Sequence, residues 1–201
     1  VGNSLNIDLY RPRRRRDPDW PVRPLRVAAM IRPSTPRRNP RLTMEVLRDF
    51  YRARGETVEI ILFGCETSDT AFQALAHDFP WRNAGMLTQR QVASLLNEVD
   101  IFADFSEFQA MGLTAMEAMA CGAAVIVPRR GGAGSFARHE ENALVVDTGS
   151  IDACLAALER LTLDQALRTR LQRQSLLDAC EHYPEGAAYN ILNALFPASL
   201  S

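Results

Sequence analysis

"DIFADFSEFQAMGLTAMEAMACGAAVIVP", Asp100 to Pro128, runs from one strand-like segment (DIFADF, 100–105) through a helix to a second (AAVIVP, 123–128). The helix opens near Gly112 and closes at Gly122, and from Phe108 to Gly122 its only charge is Glu117. A helix this apolar on every side should be buried. Burying an ionised carboxylate without partners is costly. The strand–helix–strand order implies a parallel sheet with helices on both faces.

The same alternation extends outward in both directions. Strands are expected at 26–31 (RVAAMI), 58–64 (VEIILFG), 81–85 and 143–147 (ALVVD). A helix is expected over 40–54, where Leu42, Val46, Leu47 and Phe50 share a face. A second is expected over 70–79. The segment TQRQ (88–91) reads as a capping box opening a third, which carries Val92, Leu95, Leu96 and Val99. From Ser150 to about 196 the chain reads as mostly helical. The fold class is therefore α/β, and in such sheets the ligand crevice lies beyond the carboxyl ends of the strands. The loops after 31, 64, 105 and 127 are the places to look.

Composition narrows the function classes. The chain has 201 residues, 47% hydrophobic and 23% charged, with a formal net charge of −1, so nothing overall points to nucleic acid or a membrane surface. All 23 basic residues are arginine, which excludes a Walker A loop and a lysine Schiff base. Cysteines 65, 121, 154 and 180 form no C-x-x-C pair and read as reduced, mostly buried thiols in a cytosolic protein. Histidines 77, 139 and 182 make no metal-ligand spacing. No apolar run approaches the ~20 residues that span a bilayer. The first residue, Val1, suggests a piece of a longer chain. Residues 1–24, rich in arginine and proline, read as an extended arm, since prolines 12, 18, 21 and 24 oppose a helix.

Chemistry concentrates in the expected loops. Arg32 ends the first strand, with Arg37 and Arg38 five and six residues later among prolines 33, 36 and 40, which hold these side chains out instead of folding them into a helix. Forked guanidinium donors suit a diphosphate, and either Arg37 or Arg38 can be the second. Ser106 follows the strand at 100–105. Gly112 at the helix start leaves unpaired backbone N–H groups and the helix dipole open to an anion. Thr114 and Glu117 share a face of that helix, so Glu117 stands about a turn from the anion site, able to accept from ligand hydroxyls or from protein donors. Glycines 131, 132 and 134 permit a close-approach loop. They also spell G-x-G-x-x-A up to Ala137, a weak case for an NAD-binding fold because the fingerprint normally follows the first strand. Asp100 and Asp104 bracket a strand and read as structural.

The segment QAMGLTAMEAMACGAAVIVPRRGGAGSFARHEENALVVDT, 109–148, resembles the donor-binding half of family 4-type (group 1) glycosyltransferases of the GT-B fold. That family's pattern is E-x7-E through a GFG…EAMACG helix, then a strand, a glycine pair and an N-G-L-L-V strand. VAAMIRPSTPRR is similar to its first strand and arginine, and GNSLNIDLYRPR (2–13) to its interdomain linker. The resemblance implies a linker over 1–24, a Rossmann-like donor-binding domain over 25–183, and a C-terminal helix and tail over 184–201. It further implies that Glu117 binds the nucleotide ribose, Gln109 contacts the donor sugar, and Arg32 and Arg37 hold the diphosphate. The backbone of Gly112, Leu113 and Thr114 would touch the same group, with Ser106 beside it, and Gly85 and Met86 would cradle the base. Gln109 stands where a glutamate is usual, and Ser135 departs from a glutamate after the glycine pair. The combination FQAMG with RPSTPRR is similar to a rhamnosyltransferase-like branch.

The implied reaction is metal-independent transfer of a sugar, with retention, from a UDP-, GDP- or dTDP-sugar to a sugar or glycolipid acceptor, with no cofactor. An N-terminal GT-B domain carrying the acceptor site is the implied partner. The full protein is expected to be cytoplasmic, at the inner face of the membrane by peripheral association, and to act in polysaccharide biosynthesis without nucleic acid. Alternatives are an NAD-binding module, half of a nucleotide-sugar epimerase, or a non-catalytic interaction domain. His139 reads as a solvated turn residue.

Overall fold

The structure, a computed structural model, describes residues 4–13, 23–182 and 184–195. Six parallel strands form one sheet: β1 (Leu25–Met30), β2 (Val58–Phe63), β3 (Arg82–Asn83), β4 (Ile101–Ala103), β5 (Ala124–Pro128) and β6 (Leu144–Val146). Their order is β3-β2-β1-β4-β5-β6, the doubly wound arrangement in which strand order reverses between β1 and β4. The register sets Ala28 opposite Ile61 on one side and Phe102 on the other.

Alternate side chains feed two cores because successive strand residues point to opposite faces. Val27, Ala29, Ile60, Leu62, Ile101 and Ala103 pack with α1 (Pro40–Arg54) and α5 (Ile151–Leu163). Ala28, Ile61, Phe63, Phe102, Val125 and Val127 pack with α3 (Gln89–Leu96) and α4 (Leu113–Ala120). The helix α6 (Gln165–Ala179) reaches both cores, with Leu167 and Leu171 in the first and Ala179 in the second. A last helix, α7, spans Pro184–Leu195.

Local chemistry explains the element ends. Pro40 opens α1, where its missing N–H costs nothing, and Gly55 closes it with φ of 58°. The expected capping box forms at Thr88 and Gln91. The helix expected over 70–79 is only one turn, α2 (Thr70–Gln73), capped by Asp69. Beyond it the chain must carry Phe79 into the core beside Tyr51 and set Trp81 edge-on against Phe72, and a continued helix could not do both.

The amino-terminal arm also differs from expectation. Residues 7–9 form a turn, and Leu5 and Tyr10 are buried against the α3/α4 face. The Leu5 N–H donates to the His182 carbonyl (2.7 Å), and the Arg13 N–H to Asn97 (2.7 Å). The polyarginine run at 13–16 lies, except for Arg13, outside the described residues.

The glycine pair after β5 has a packing role. The Gly132 N–H donates to the Gln109 carbonyl at 2.8 Å, and a Cβ at 132 would stand 1.9 Å from the Ala110 carbonyl oxygen. At Gly131, where φ is 101°, a Cβ would stand 2.2 Å from the Gln109 carbonyl oxygen. Two backbones therefore touch directly, which locks the loop after β4 to the loop after β5. Gly132→Ala is expected to cost about 3 kcal/mol in urea unfolding. Gly134→Ala, where a Cβ meets nothing within 4 Å, is expected to stay within about 0.5 kcal/mol.

Candidate functional site

The loops after β1 and β4 diverge where the strand order reverses, leaving a crevice at the carboxyl edge of the sheet. Arg32 enters it from β1, donating to the Gly64 carbonyl at 3.3 Å. The prolines do not hold the whole loop extended. Pro36–Arg38 winds into a 3-10 turn, and Asn39 then adopts a left-handed conformation (φ 50°) before α1. That turn separates the two arginines left open by the sequence. Arg37 is exposed, and its carbonyl accepts the Glu107 N–H at 3.0 Å. Arg38 is half-buried, and burial lowers its pKa against the pull of Asp104, with Arg37 and Arg32 adding repulsion. Among the described residues none of the three arginines forms an ion pair within 4 Å. Three like charges without close acids make a site that favours an anion.

Beside Arg32 lies a cleft of about 600 Å³, floored by Gly64 and Cys65 and walled by Thr35, Glu66, Asp69 and Met86. Gly85 turns the chain with φ of 72°, so that the Met86 N–H donates to Glu66 Oε1 at 3.1 Å while its side chain stays 55% exposed. Sequence reading missed Glu66 and Asp69. The signal was present, since both follow the β2 carboxyl end. Burial, with Asp69 and Glu66 nearby, pushes the Cys65 thiol up to about 11, which leaves it protonated and unreactive.

The amino end of α4 completes the crevice. Gly112 is its N-cap in a left-handed conformation (φ 73°); the Ala115 N–H donates to the Gly112 carbonyl at 3.0 Å, while those of Leu113 and Thr114 precede the helix's own bonding. The helix is less enclosed than its composition suggests: Leu113 is 44% exposed, and Thr114 and Glu117 are half-buried. Burial lifts the Glu117 carboxyl to about 7, and a hydrogen bond from the Tyr10 hydroxyl opposes that rise. Glu117 therefore does not wait for a ligand to supply all its partners. The arm, pinned by Leu5 and Tyr10, already provides one.

Below the same edge sits a closed polar network. Asp104 accepts from the Ser106 hydroxyl (2.5 Å), the Ser106 N–H (3.1 Å) and Gln109 Nε2 (2.5 Å). Gln109 Nε2 also donates to Ser106 Oγ at 3.1 Å, and Thr148 ties the Ser106 carbonyl from across the sheet edge at 2.8 Å. Ser106, Gln109 and Asp104 are all buried. Asp100, at the opposite end of β4, is bonded to Arg23 and to the Arg26 N–H, in keeping with a structural role. His139 is exposed, forms an isolated bridge with Ala143 and accepts the Val145 N–H.

At this strand-order reversal the loop after β1 carries Arg32, Arg37 and Arg38, and the segment after the neighbouring β4 carries Ser106, the start of α4 and Glu117. A family model described as "Glycosyl transferases group 1" matches residues 23–176. The chain belongs to that family. A curated relative, the lipopolysaccharide core biosynthesis glycosyltransferase LpsE of Rhizobium meliloti (strain 1021), is 35% identical over 83 residues, 41% of this chain and 24% of its own. Among solved structures, the C-terminal domain of the group 1 glycosyl transferase LpcC from Francisella tularensis superposes with a TM-score of 0.72 at 19% identity, covering 88% of this chain and 97% of that one. Anabaena HepE, solved in complex with UDP and glucose, gives 0.75 at 18% identity over 98% of this chain and 56% of its own. The chain spans about a quarter of the curated relative, about half of HepE and nearly all of the LpcC domain. In the glycine string 132–137, Gly132–Ser135 is a 3-10 turn and not the start of an α-helix, and Gly132 serves backbone packing. Among the described residues no three His, Cys, Asp or Glu side chains gather as metal ligands, and no helix is long and apolar enough to cross a membrane.

The raised Glu117 value has a stability consequence with a definite sign. The folded carboxyl holds its proton up to about pH 7 and the unfolded one only to about 4.5, so Glu117 lowers stability as pH rises through that window. The slope is at most about 1.4 kcal/mol per pH unit. Glu117→Gln is expected to flatten it in melts run from pH 5 to 8. Tyr10→Phe, which removes the opposing hydrogen bond, is expected to move the Glu117 carboxyl ¹³C titration above pH 7.

Proposed function

We propose that this chain is the nucleotide-sugar donor-binding domain of a retaining glycosyltransferase. The observation that carries this is that three arginines without an ion pair among the described residues follow β1, while α4, with its amino end and the half-buried Glu117, follows the neighbouring β4. Each matches one part of a nucleoside diphosphate sugar. The arginines and the helix end supply donors for the diphosphate, and Glu117 accepts from ribose hydroxyls. Gly85 and Met86, with the 600 Å³ cleft beside them, offer the base a partly apolar wall. Gln109 stands on the side where the sugar would lie, with Ser106 and the backbone of Leu113 and Thr114 beside the diphosphate.

In transfer, negative charge builds on the departing diphosphate. Arg32 and the α4 N–H groups are placed to stabilise it. Arg38 is the better-buried second cation, so its charge is less screened, and Arg37 stands at the rim. The acceptor site belongs to a partner domain, consistent with this chain matching about half of HepE. The lipopolysaccharide-core assignment of LpsE supports a saccharide or glycolipid acceptor and a role in polysaccharide synthesis. HepE, solved with UDP, supports a uridine diphosphate donor.

Calorimetric titration with UDP, GDP, ADP, dTDP and NAD tests the reading. One nucleoside diphosphate is expected to bind and NAD is not. Arg32→Ala and Glu117→Ala are each expected to weaken that binding at least about tenfold, the effect of losing one charge-assisted hydrogen bond. Equal binding by wild type and both variants would sink the assignment.

A further inference from the structure

Gln109 carries no charge, yet it is among the most tightly held side chains of the site. Its amide nitrogen has two protons, and both are spent: one on Asp104 Oδ2 at 2.5 Å, one on Ser106 Oγ at 3.1 Å. The Ser106 hydroxyl can accept that proton because it donates its own to Asp104 Oδ1. Asp104 accepts in all three of its bonds here, as an ionised carboxylate does, so the direction of every bond in the triad is set by it. The carboxamide cannot turn over without placing its oxygen against that carboxylate. Its Oε1 accepts nothing from any described residue, and it is not one of the described side-chain atoms that are sealed from solvent without a hydrogen bond.

The surroundings hold this orientation firmly. The three side chains are buried, Gln109 to 6% and Asp104 to 8% exposure. The Gln109 backbone is clamped by the Gly132 N–H, and the Ser106 carbonyl by Thr148. A partly accessible oxygen acceptor on a rigid, buried amide, one turn before the α4 anion site, is a built half of a hydrogen bond whose donor is absent.

We propose that Asp104 is a positioning residue: it fixes the Gln109 carboxamide with Oε1 free, so that an uncharged side chain offers the donor sugar a hydroxyl acceptor. This rests on the donor-domain reading above. It also relocates charge. The carboxylate lies one shell below the sugar, within reach of the Arg38 field, and not against the sugar itself.

The polarity of the pair supplies the test. Asp104→Asn turns one accepting oxygen into a donor facing the Gln109 amide, and the carboxamide is expected to flip, presenting N–H groups to the sugar. Adding Gln109→Glu reverses the pair: the new asparagine donates, the glutamate accepts, and an oxygen again faces the site. Gln109→Glu alone sets two carboxylates in contact. Two readouts on the full 201-residue chain separate the outcomes. Without ligand, the Gln109 side-chain amide protons are expected to be protected from exchange in wild type and unprotected in Asp104→Asn. With ligand, the nucleoside diphosphate that binds (UDP as first probe) is compared with its sugar form (UDP-glucose, and dTDP-rhamnose if dTDP is the binder). The affinity gained from the sugar is expected to fall about tenfold in Asp104→Asn, the worth of one neutral hydrogen bond. The affinity for the diphosphate alone is the reference measured in each variant, and the double variant should recover the sugar gain. Thermal melts keep a merely unfolded variant from being counted. Unprotected Gln109 amide protons in wild type, or an unchanged sugar gain in a folded Asp104→Asn, would overturn the inference. Absence of diphosphate binding in every form would overturn the donor-domain reading itself, and this inference with it.

Discussion

A parallel sheet buried on both faces leaves one edge for chemistry, and everything functional here depends on how that edge is held open. The constraint sits at the contact between the backbone of 109–111 and Gly131–Gly132, where no side chain fits between the chains. Because the loop after β5 presses on the loop after β4, the backbone of Gln109, and with it the Asp104–Ser106–Gln109 network, is held in place just before Gly112 opens α4. Phe136 packs 3.4 Å from where a Cβ at Gly112 would stand, so the helix end cannot drift away from that loop. The anion site is thus a product of backbone packing first and of charge second.

Around this edge the polar groups are arranged by cost. Asp100 and Asp104 end the same strand, yet one is neutralised by Arg23 and a backbone N–H, and the other is satisfied by hydroxyl and amide donors without an ion pair. An aspartate satisfied by uncharged donors keeps its charge felt nearby, which is why Arg38 is drawn inward while Arg37 is left to solvent. Glu117 takes an intermediate course. Partly desolvated and served by a single hydroxyl, it is held near neutrality in its free form, and further donors would favour its ionised state. Tyr10, the donor it has, comes from the arm preceding the sheet. Arm position and the state of the crevice are therefore coupled through one hydrogen bond.

Much of this was legible in the residues. Short continuous apolar runs with intervening helical periodicity led to six strands and their helices, because burial on both faces forces each strand to be apolar throughout and each helix to carry a stripe. Caps written in side chains, such as Thr88 with Gln91, were equally readable. The single-turn α2 was not, since its length is decided by Phe79 and Trp81 seeking the core, a long-range demand that overrides local helix propensity. The arm was read as extended from its prolines, and Leu5 and Tyr10 pull it into a packed turn instead.

The sequence by itself determined the α/β class, the loops where chemistry gathers and the residue types available there, because these follow from periodicity and from the chemistry of single side chains. Only the tertiary structure decided partners: that Asp104 orients Gln109, that Tyr10 serves Glu117, that Glu66 takes the Met86 N–H, and that Arg38 is drawn in while Arg37 stays out. Such pairings join residues distant in sequence, or turn on rotation about a few loop bonds. Their free energies depend on burial and geometry that no local pattern encodes.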